Sequence, residues 1–394
     1  MSTDWPPQFL YTVCQCGVEQ ALKQEIAVGP VDARPAYSRP GFVTFKLGKP
    51  CDSPEQFQLP STFARTYGFC LGKVVGDHLG ELARQVWQWP AVEQMMAVQP
   101  ICDLHVWQRD RKPPGFRGFE PGPTILAGEV EAGLRECSQI DGLKKLSGDP
   151  RLPSRRNRWV LDIVLVEPGE WWIGCHYSSR RLDCWPGGVI PFELPEHAAS
   201  RAYLKMTEAI AWSALPAQRD DLCIELGCAP GGAAQALLEH GLRVIGVDPA
   251  EIDPEVLAHP NFQHLRRRSM EVPQKALRGV RWLAIDMNAA PAYTLDAAEA
   301  VVTSKTARIR GMILTLKLAD WKLAAELPNF IKRVASWGYR DVRVRQLATS
   351  RQEVCLVALR SRGQRRVQRG SRQRRRTDAA HASGSNGPHL SVDM

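Results

Sequence analysis

The residues of this chain best suited to chemistry stand in a row: Glu225-Leu226-Gly227-Cys228-Ala229-Pro230-Gly231-Gly232. A strand-like run at 222–226 (LCIEL) leads into them and a helical stretch at 232–240 leads out. Small residues let a ligand come close to the main chain, and the first turn of a helix offers N–H groups that have no partner within the helix. About twenty residues on, after a second strand-like run at 243–247 (RVIGV), comes Asp248. A carboxylate there can accept both hydroxyls of a ribose. Gly227, Cys228, Ala229, Pro230, Gly231, Gly232 and Asp248 are therefore candidates to hold a nucleoside cofactor. The pattern alone fits any such cofactor, and a glycine-rich turn also occurs with no ligand at all.

The elements that must position these residues narrow the choice. Strand-like runs at 222–226, 243–247, 282–286 and 311–316 alternate with helical stretches near 232–240, 292–308 and 320–336, which means βαβ units and a parallel sheet. The last two runs, 341–347 (DVRVRQL) and 353–359 (EVCLVAL), are joined by a short polar loop and predict an antiparallel hairpin closing the sheet. The loop lacks the G-x-G-x-x-G register of dinucleotide sites. A Rossmann-like, mostly parallel sheet with an antiparallel terminal hairpin is typical of class I methyltransferases, which points to S-adenosyl-L-methionine.

Ala229-Pro230-Gly231-Gly232 resembles the cofactor loop of FtsJ-type ribose 2′-O-methyltransferases, and the likeness runs through the second half of the chain. It implies a Lys-Asp-Lys-Glu tetrad drawn from four elements. Lys205, in Ser200-Arg201-Ala202-Tyr203-Leu204-Lys205, matches the first lysine, and Asp286, in Ala284-Ile285-Asp286-Met287, matches the aspartate and also falls on the cofactor side. Lys317, in Leu314-Thr315-Leu316-Lys317-Leu318, matches the second lysine, and Glu353, in Ser350-Arg351-Gln352-Glu353-Val354, matches the glutamate. Taken singly, each is also a residue found on any helix face, strand end or turn. The implied roles suit the reaction: the acceptor must be oriented in line with an activated methyl group, and a poorly nucleophilic ribose hydroxyl must lose its proton. A lysine becomes a base when a second cation and partial desolvation disfavour its charged form. The expectation is that Lys317 is that base, Lys205 lowers its pKa and binds the 2′-oxygen, and Asp286 and Glu353 orient the two ammonium groups.

Within that group the chain is most similar to RlmM-type enzymes, which act on a cytidine of 23S ribosomal RNA. In the first half, Cys16-Gly17-Val18-Glu19-Gln20-Ala21-Leu22 and Trp171 to Tyr177 carry the likeness, and it implies a THUMP-type RNA-binding domain there. Local pattern predicts a helix over 18–26, a strand over 42–45, a helix over 79–89, and a hairpin from 159–166 and 171–176 turning at Pro168-Gly169. The expected organisation is an α+β, THUMP-like region over 1–182, a Pro- and Gly-rich linker over 183–195, the methyltransferase domain over 196–360, and a disordered Arg-rich tail over 361–394. Two positions depart from the family: Ala202 stands where a serine is expected near the cofactor, and Arg268 where an acid is expected near the adenine.

Composition sets the outer limits. The net charge is +9, but nine arginines from Arg360 onward against Asp378 and Asp393 put +7 of it in the tail, so the body is nearly balanced. Arg365, Arg366, Arg372, Arg374, Arg375 and Arg376 are candidates for phosphate contacts. The 11 cysteines are scattered, with no Cys-x-x-Cys pair, and read as reduced small hydrophobes, so no metal is expected. No apolar run reaches membrane-spanning length and the N-terminus has no signal-peptide pattern, so a cytoplasmic protein is expected. Two rivals remain: a catalytically silent RNA-binding protein that keeps the methyltransferase fold, and a methyltransferase acting on protein or a small molecule, whose chemistry does not call for a lysine pair.

Overall fold

The computed structural model describes residues 7–138, 140 and 152–361. The arginines expected to grip phosphates lie outside that range, as does nearly all of the expected tail. The described residues build two seven-stranded sheets, one from each half of the chain.

The first sheet comprises β1 (Phe9–Val13), β2 (Ala33–Arg39), β3 (Phe42–Leu47), β4 (Thr66–Val75), β5 (Ile101–Gln108), β6 (Trp159–Glu167) and β7 (Glu170–Tyr177), in the order β2-β3-β1-β4-β7-β6-β5. Only β5 and β6 pair in parallel. Helices Glu19–Val28, Leu79–Trp87, Pro90–Val98 and Ile125–Cys137 accompany it. The helix expected over 79–89 stops at Trp87, and a second begins at Pro90, where proline's missing N–H costs nothing at a first helical position. The expected hairpin is β6 and β7, and both strands are buried through most of their length, Trp171 and Trp172 included.

The second sheet comprises β8 (Leu222–Leu226), β9 (Arg243–Val247), β10 (Phe262–Leu265), β11 (Trp282–Ile285), β12 (Gly311–Lys317), β13 (Asp341–Arg345) and β14 (Glu353–Leu359), ordered β10-β9-β8-β11-β12-β14-β13. Strands β8 to β12 pair in parallel, while β14 runs antiparallel to both β12 and β13. This is the expected Rossmann-like sheet with its terminal hairpin. Strand order reverses beside β8, so the turn after β8 opens at the switch point where α/β sheets bind ligands. The helix expected over 292–308 spans only Pro291–Val302. It frays where the Thr303 hydroxyl donates back to the Glu299 carbonyl at 2.6 Å. The stretch expected as one helix over 320–336 is a 3-10 turn, Trp321–Glu326, followed by helix Leu327–Ser336, with Pro328 in its first turn.

The two bodies share buried contacts. Phe63 meets Trp321 edge to face at 5.9 Å, Gln346 donates its N–H to the Thr62 carbonyl at 2.8 Å, and Arg345 donates to the Arg65 carbonyl. The connection expected over 183–195 is not an open linker at its start. It forms two 3-10 turns, Leu182–Cys184 and Pro186–Gly188, with Gly187 and Gly188 buried. Arg65 fixes this segment, donating to the Gly187 carbonyl at 2.9 Å and forming a two-pronged pair with Asp110 at 2.7 and 2.9 Å. Both partners are almost fully buried. Replacing Asp110 with alanine would strand a buried guanidinium and is expected to destabilise the protein by about 3–5 kcal/mol in urea unfolding, while replacing Arg65 and Asp110 together with methionine and leucine should cost much less.

Candidate active site

The second sheet brings all four tetrad candidates to one place. Lys205 projects from helix Ala202–Ser213, Asp286 follows the last residue of β11, Lys317 ends β12 and Glu353 begins β14. Lys317 and Glu353 are direct partners across the antiparallel β12–β14 pair, so sheet register alone makes them neighbours. Asp286 sits at the adjacent strand end, its N–H donating to the Leu226 carbonyl.

Their charges interlock. Lys205 Nζ is 2.7 Å from Asp286 Oδ2 and 3.4 Å from Glu353 Oε1, and Lys317 Nζ contacts Glu353 Oε2 and lies 3.9 Å from Asp286 Oδ1. The carboxylates are buried and Lys205 nearly so, whereas the Lys317 side chain keeps 27% of its exposure. Burial pulls the Lys205 pKa down, but Asp286 and Glu353 outweigh it and hold the ammonium above the ordinary lysine value. Lys205 is thus a fixed cation, and Lys317 is the lysine open to an incoming group.

The cofactor-loop candidates stand beside them. Gly227 has φ +80°, and a Cβ there would fall 2.4 Å from Met287 Cγ. Gly232 opens helix Gly232–Glu239 with ordinary backbone angles but has no room for a Cβ, which would meet Ser200 Oγ at 2.4 Å and its carbonyl oxygen at 2.7 Å. Cys228 is buried with its sulfur over Gly246, and burial holds its thiol well above the usual range, so it acts as packing. Asp248 turns back to the loop, its Oδ2 accepting from the Ala229 N–H at 3.2 Å and its Oδ1 from the Ala250 N–H at 2.8 Å.

The model of the FtsJ-like methyltransferase family matches residues 198–353, which run from just before Lys205 to Glu353. These residues are an FtsJ-like methyltransferase domain.

Relatives extend the likeness beyond the domain. A protein from Azoarcus sp. (strain BH72) named ribosomal RNA large subunit methyltransferase M is 28% identical over 370 residues, covering 88% of this chain and 94% of that one. A protein of the same name from Aromatoleum aromaticum is 30% identical over 204 residues, covering 49% of this chain and 54% of the relative. Among solved structures, TrmN from Thermus thermophilus aligns over 89% of this chain and 99% of its own length at 15% identity, with a TM-score of 0.33.

An FtsJ-like methyltransferase draws its methyl group from S-adenosylmethionine, and the loop fits that donor. Gly227, Gly231 and Gly232 leave main chain uncovered where side chains would collide, and the first turn of helix Gly232–Glu239 has no side-chain cap. Sequence reasoning passed over Glu225, though it opens the quoted motif. Its side chain is fully buried at the end of β8 and neither carboxyl oxygen has a hydrogen-bond partner. Burial, with Asp286 and Asp248 nearby, pushes its pKa well above the ordinary carboxylate range. Three acids close enough to interact at the carboxyl end of the sheet suit a positively charged ligand.

Glu208, Arg201 and Arg351 were also missed. Glu208, three residues past Lys205 on the same helix, accepts from the Ala348 N–H at 2.8 Å, the Thr349 N–H at 2.9 Å and the Thr349 hydroxyl at 2.7 Å. Arg201 pairs with Glu120 and donates to the Thr349 carbonyl, while Arg351 donates to the carbonyls of Pro114 and Gly115. The loop that delivers Glu353 is therefore braced from the first half of the chain. Of the two departures from family pattern, Ala202 begins the Lys205 helix with its N–H bonded to Ser200 Oγ, and Arg268 lies exposed before the 3-10 turn Ser269–Glu271.

Proposed function

We propose that this chain transfers the methyl group of S-adenosylmethionine to a ribose 2′-hydroxyl of RNA, the target being a cytidine of large-subunit ribosomal RNA. The observation that carries the reading is the pairing of Lys205 and Lys317 with Asp286 and Glu353 at the mouth of the cofactor loop. The relatives' name supplies the RNA. The N-terminal region, 1–182, would serve as a THUMP-like RNA-binding platform, with the domain at 196–360 as catalyst, in the cytoplasm where such RNA is found.

The cofactor, when bound, supplies a methyl group already activated by its sulfonium. Gly227 to Gly232 would hold it, with Asp248 at its ribose. Asp286 and Glu353 keep Lys205 charged, so Lys205 can bind the acceptor oxygen and favour its anionic form. Lys317, close to that fixed cation and more open to solvent, takes the hydroxyl proton. Glu353 aligns Lys317 through the β12–β14 register.

Mapping 2′-O-methyl groups by mass spectrometry in ribosomal RNA from cells with and without the gene tests the reading. One site lost on deletion and restored by the intact protein supports it. An unchanged map overturns it, and retained RNA binding would then favour the silent RNA-binding alternative.

Glu225 gives a pH prediction. Its carboxyl pKa is raised in the folded chain, so its contribution to stability is full below the unfolded carboxylate pKa of about 4.3 and is lost as pH rises through the folded value. A bound cation offsets that loss by favouring the carboxylate. Affinity for S-adenosylmethionine should therefore climb with pH over this window, by at most about tenfold per unit, and Glu225→Gln should flatten the profile in calorimetric titrations.

A further inference from the structure

Three neighbouring strands of the first sheet carry His105 (β5), Asp162 (β6) and His176 (β7). His105 and Asp162 are register partners across the parallel β5–β6 pair. His176 pairs with Val160, two residues from Asp162, so all three side chains leave the same face of the sheet. All are buried, with 3%, 0% and 6% exposure. Asp162 Oδ1 and His105 Nδ1 lie 3.9 Å apart, and neither has a hydrogen-bond partner. An unpartnered carboxylate oxygen facing an unpartnered imidazole nitrogen in a protein interior is costly, and a cation between them would satisfy both.

The other contacts of the cluster are those that support metal ligands. His176 Nε2 lies 2.7 Å from the Asp183 carbonyl, which holds a proton there and turns Nδ1, protonated toward Asp162, into the cluster. Nδ1 is 2.6 Å from Asp162 Oδ2, and the Tyr11 hydroxyl donates to that same oxygen at 2.6 Å. Tyr11 reaches it by crossing Gly68 and Gly174, where a Cβ would come within 2.8 and 2.4 Å of its ring. Burial holds His105 well below its ordinary pKa, so it presents a neutral ring. One donor atom from each residue can be chosen so that all three lie within 4.8 Å of one another. Ligands about 2.0–2.2 Å from a tetrahedral zinc are about 3.4 Å apart, so the 3.9 Å gap would close by about half an ångström while the 2.6 Å hydrogen bond between His176 and Asp162 opens.

We propose that His105, Asp162 and His176 form a structural zinc site that ties β5, β6 and β7 together. Binding would displace the proton held between His176 and Asp162, leaving two neutral imidazoles and one carboxylate as ligands. A water would take the fourth position of a tetrahedral shell.

The test uses full-length, tag-free protein stripped with a chelator, given Zn²⁺, freed of excess by gel filtration and assayed by elemental mass spectrometry. About one zinc per chain should remain, the melting temperature should rise, and X-ray absorption should show nitrogen and oxygen neighbours near 2.0–2.2 Å. Tyr11→Phe should weaken zinc binding by about 10–100-fold and His105→Gln by more, with S-adenosylmethionine affinity unchanged. Retention below a tenth of an equivalent overturns the proposal. So does a sulfur shell near 2.3 Å, which would assign the metal to cysteines, or equal retention by His105→Gln. The absorption measurement needs only the wild-type protein, so a variant that fails to fold leaves the proposal open to refutation.

Discussion

Lys317→Met is expected to lower methyl transfer on the order of 10³-fold, while S-adenosylmethionine affinity stays within about threefold of wild type. Methionine keeps the length and most of the volume of lysine but can take no proton. The side chain sits at the end of β12 with 27% exposure, so the core does not depend on it. Its polar contacts go to Glu353 and Asp286 and none goes to the glycine loop, which is why cofactor binding should survive. Lys205→Met makes a less clean experiment, because it removes the close partner of buried Asp286 and so mixes lost stability with lost chemistry. A loss of about 10³-fold corresponds to about 4 kcal/mol of transition-state stabilisation. Turnover within tenfold of wild type would remove Lys317 from the role of base.

The second half of the chain was legible because its βαβ alternation obeys short-range rules. The runs over 222–226, 243–247, 282–286, 311–316 and 353–359 coincide with β8, β9, β11, β12 and β14 to within a residue, and the tetrad candidates occupy the strand ends and the helix face that the resemblance implied. The first half was harder to read, and the reasons are local. Strand β4 contains Gly68 and Gly72, which break the apolar alternation. Gly68 exists so that Tyr11 can cross it, and Gly72, at φ +155°, leaves room for the indole of Trp89. Strand β2 is largely exposed and polar, and in the second half the four-residue β10 is too short to show a pattern. Glu208 could not be recognised because its partners, Ala348 and Thr349, are some 140 positions away in sequence. The zinc proposal shows the same limit. Sequence reasoning looked for paired cysteines, whereas His105, Asp162 and His176 are brought together only by the pairing of β5, β6 and β7.

Gly232→Ala is expected to weaken S-adenosylmethionine binding on the order of 10²-fold and to slow methyl transfer at least as much. The added methyl would lie 2.4 Å from Ser200 Oγ, 2.7 Å from the Ser200 carbonyl oxygen and 3.1 Å from its nitrogen. A rotation of the serine side chain relieves only the first clash, so main chain has to move. The segment it would push leads directly into helix Ala202–Ser213 and so carries Lys205, while the helix it would push begins at the cofactor loop. One methyl group therefore disturbs both halves of the site, with a stability cost of about 1–3 kcal/mol from overpacking. Gly128→Ala is the matched control. It lies on the exposed face of helix Ile125–Cys137 with nothing within 4 Å of the new carbon, so alanine there should stabilise by about 0.5–1 kcal/mol and leave turnover unchanged. Calorimetric titration of both variants separates the two effects. If Gly232→Ala bound the cofactor within threefold of wild type, close main-chain approach would not be what this glycine provides, and Gly227 and Gly231, with their positive φ, would be the residues that shape the loop.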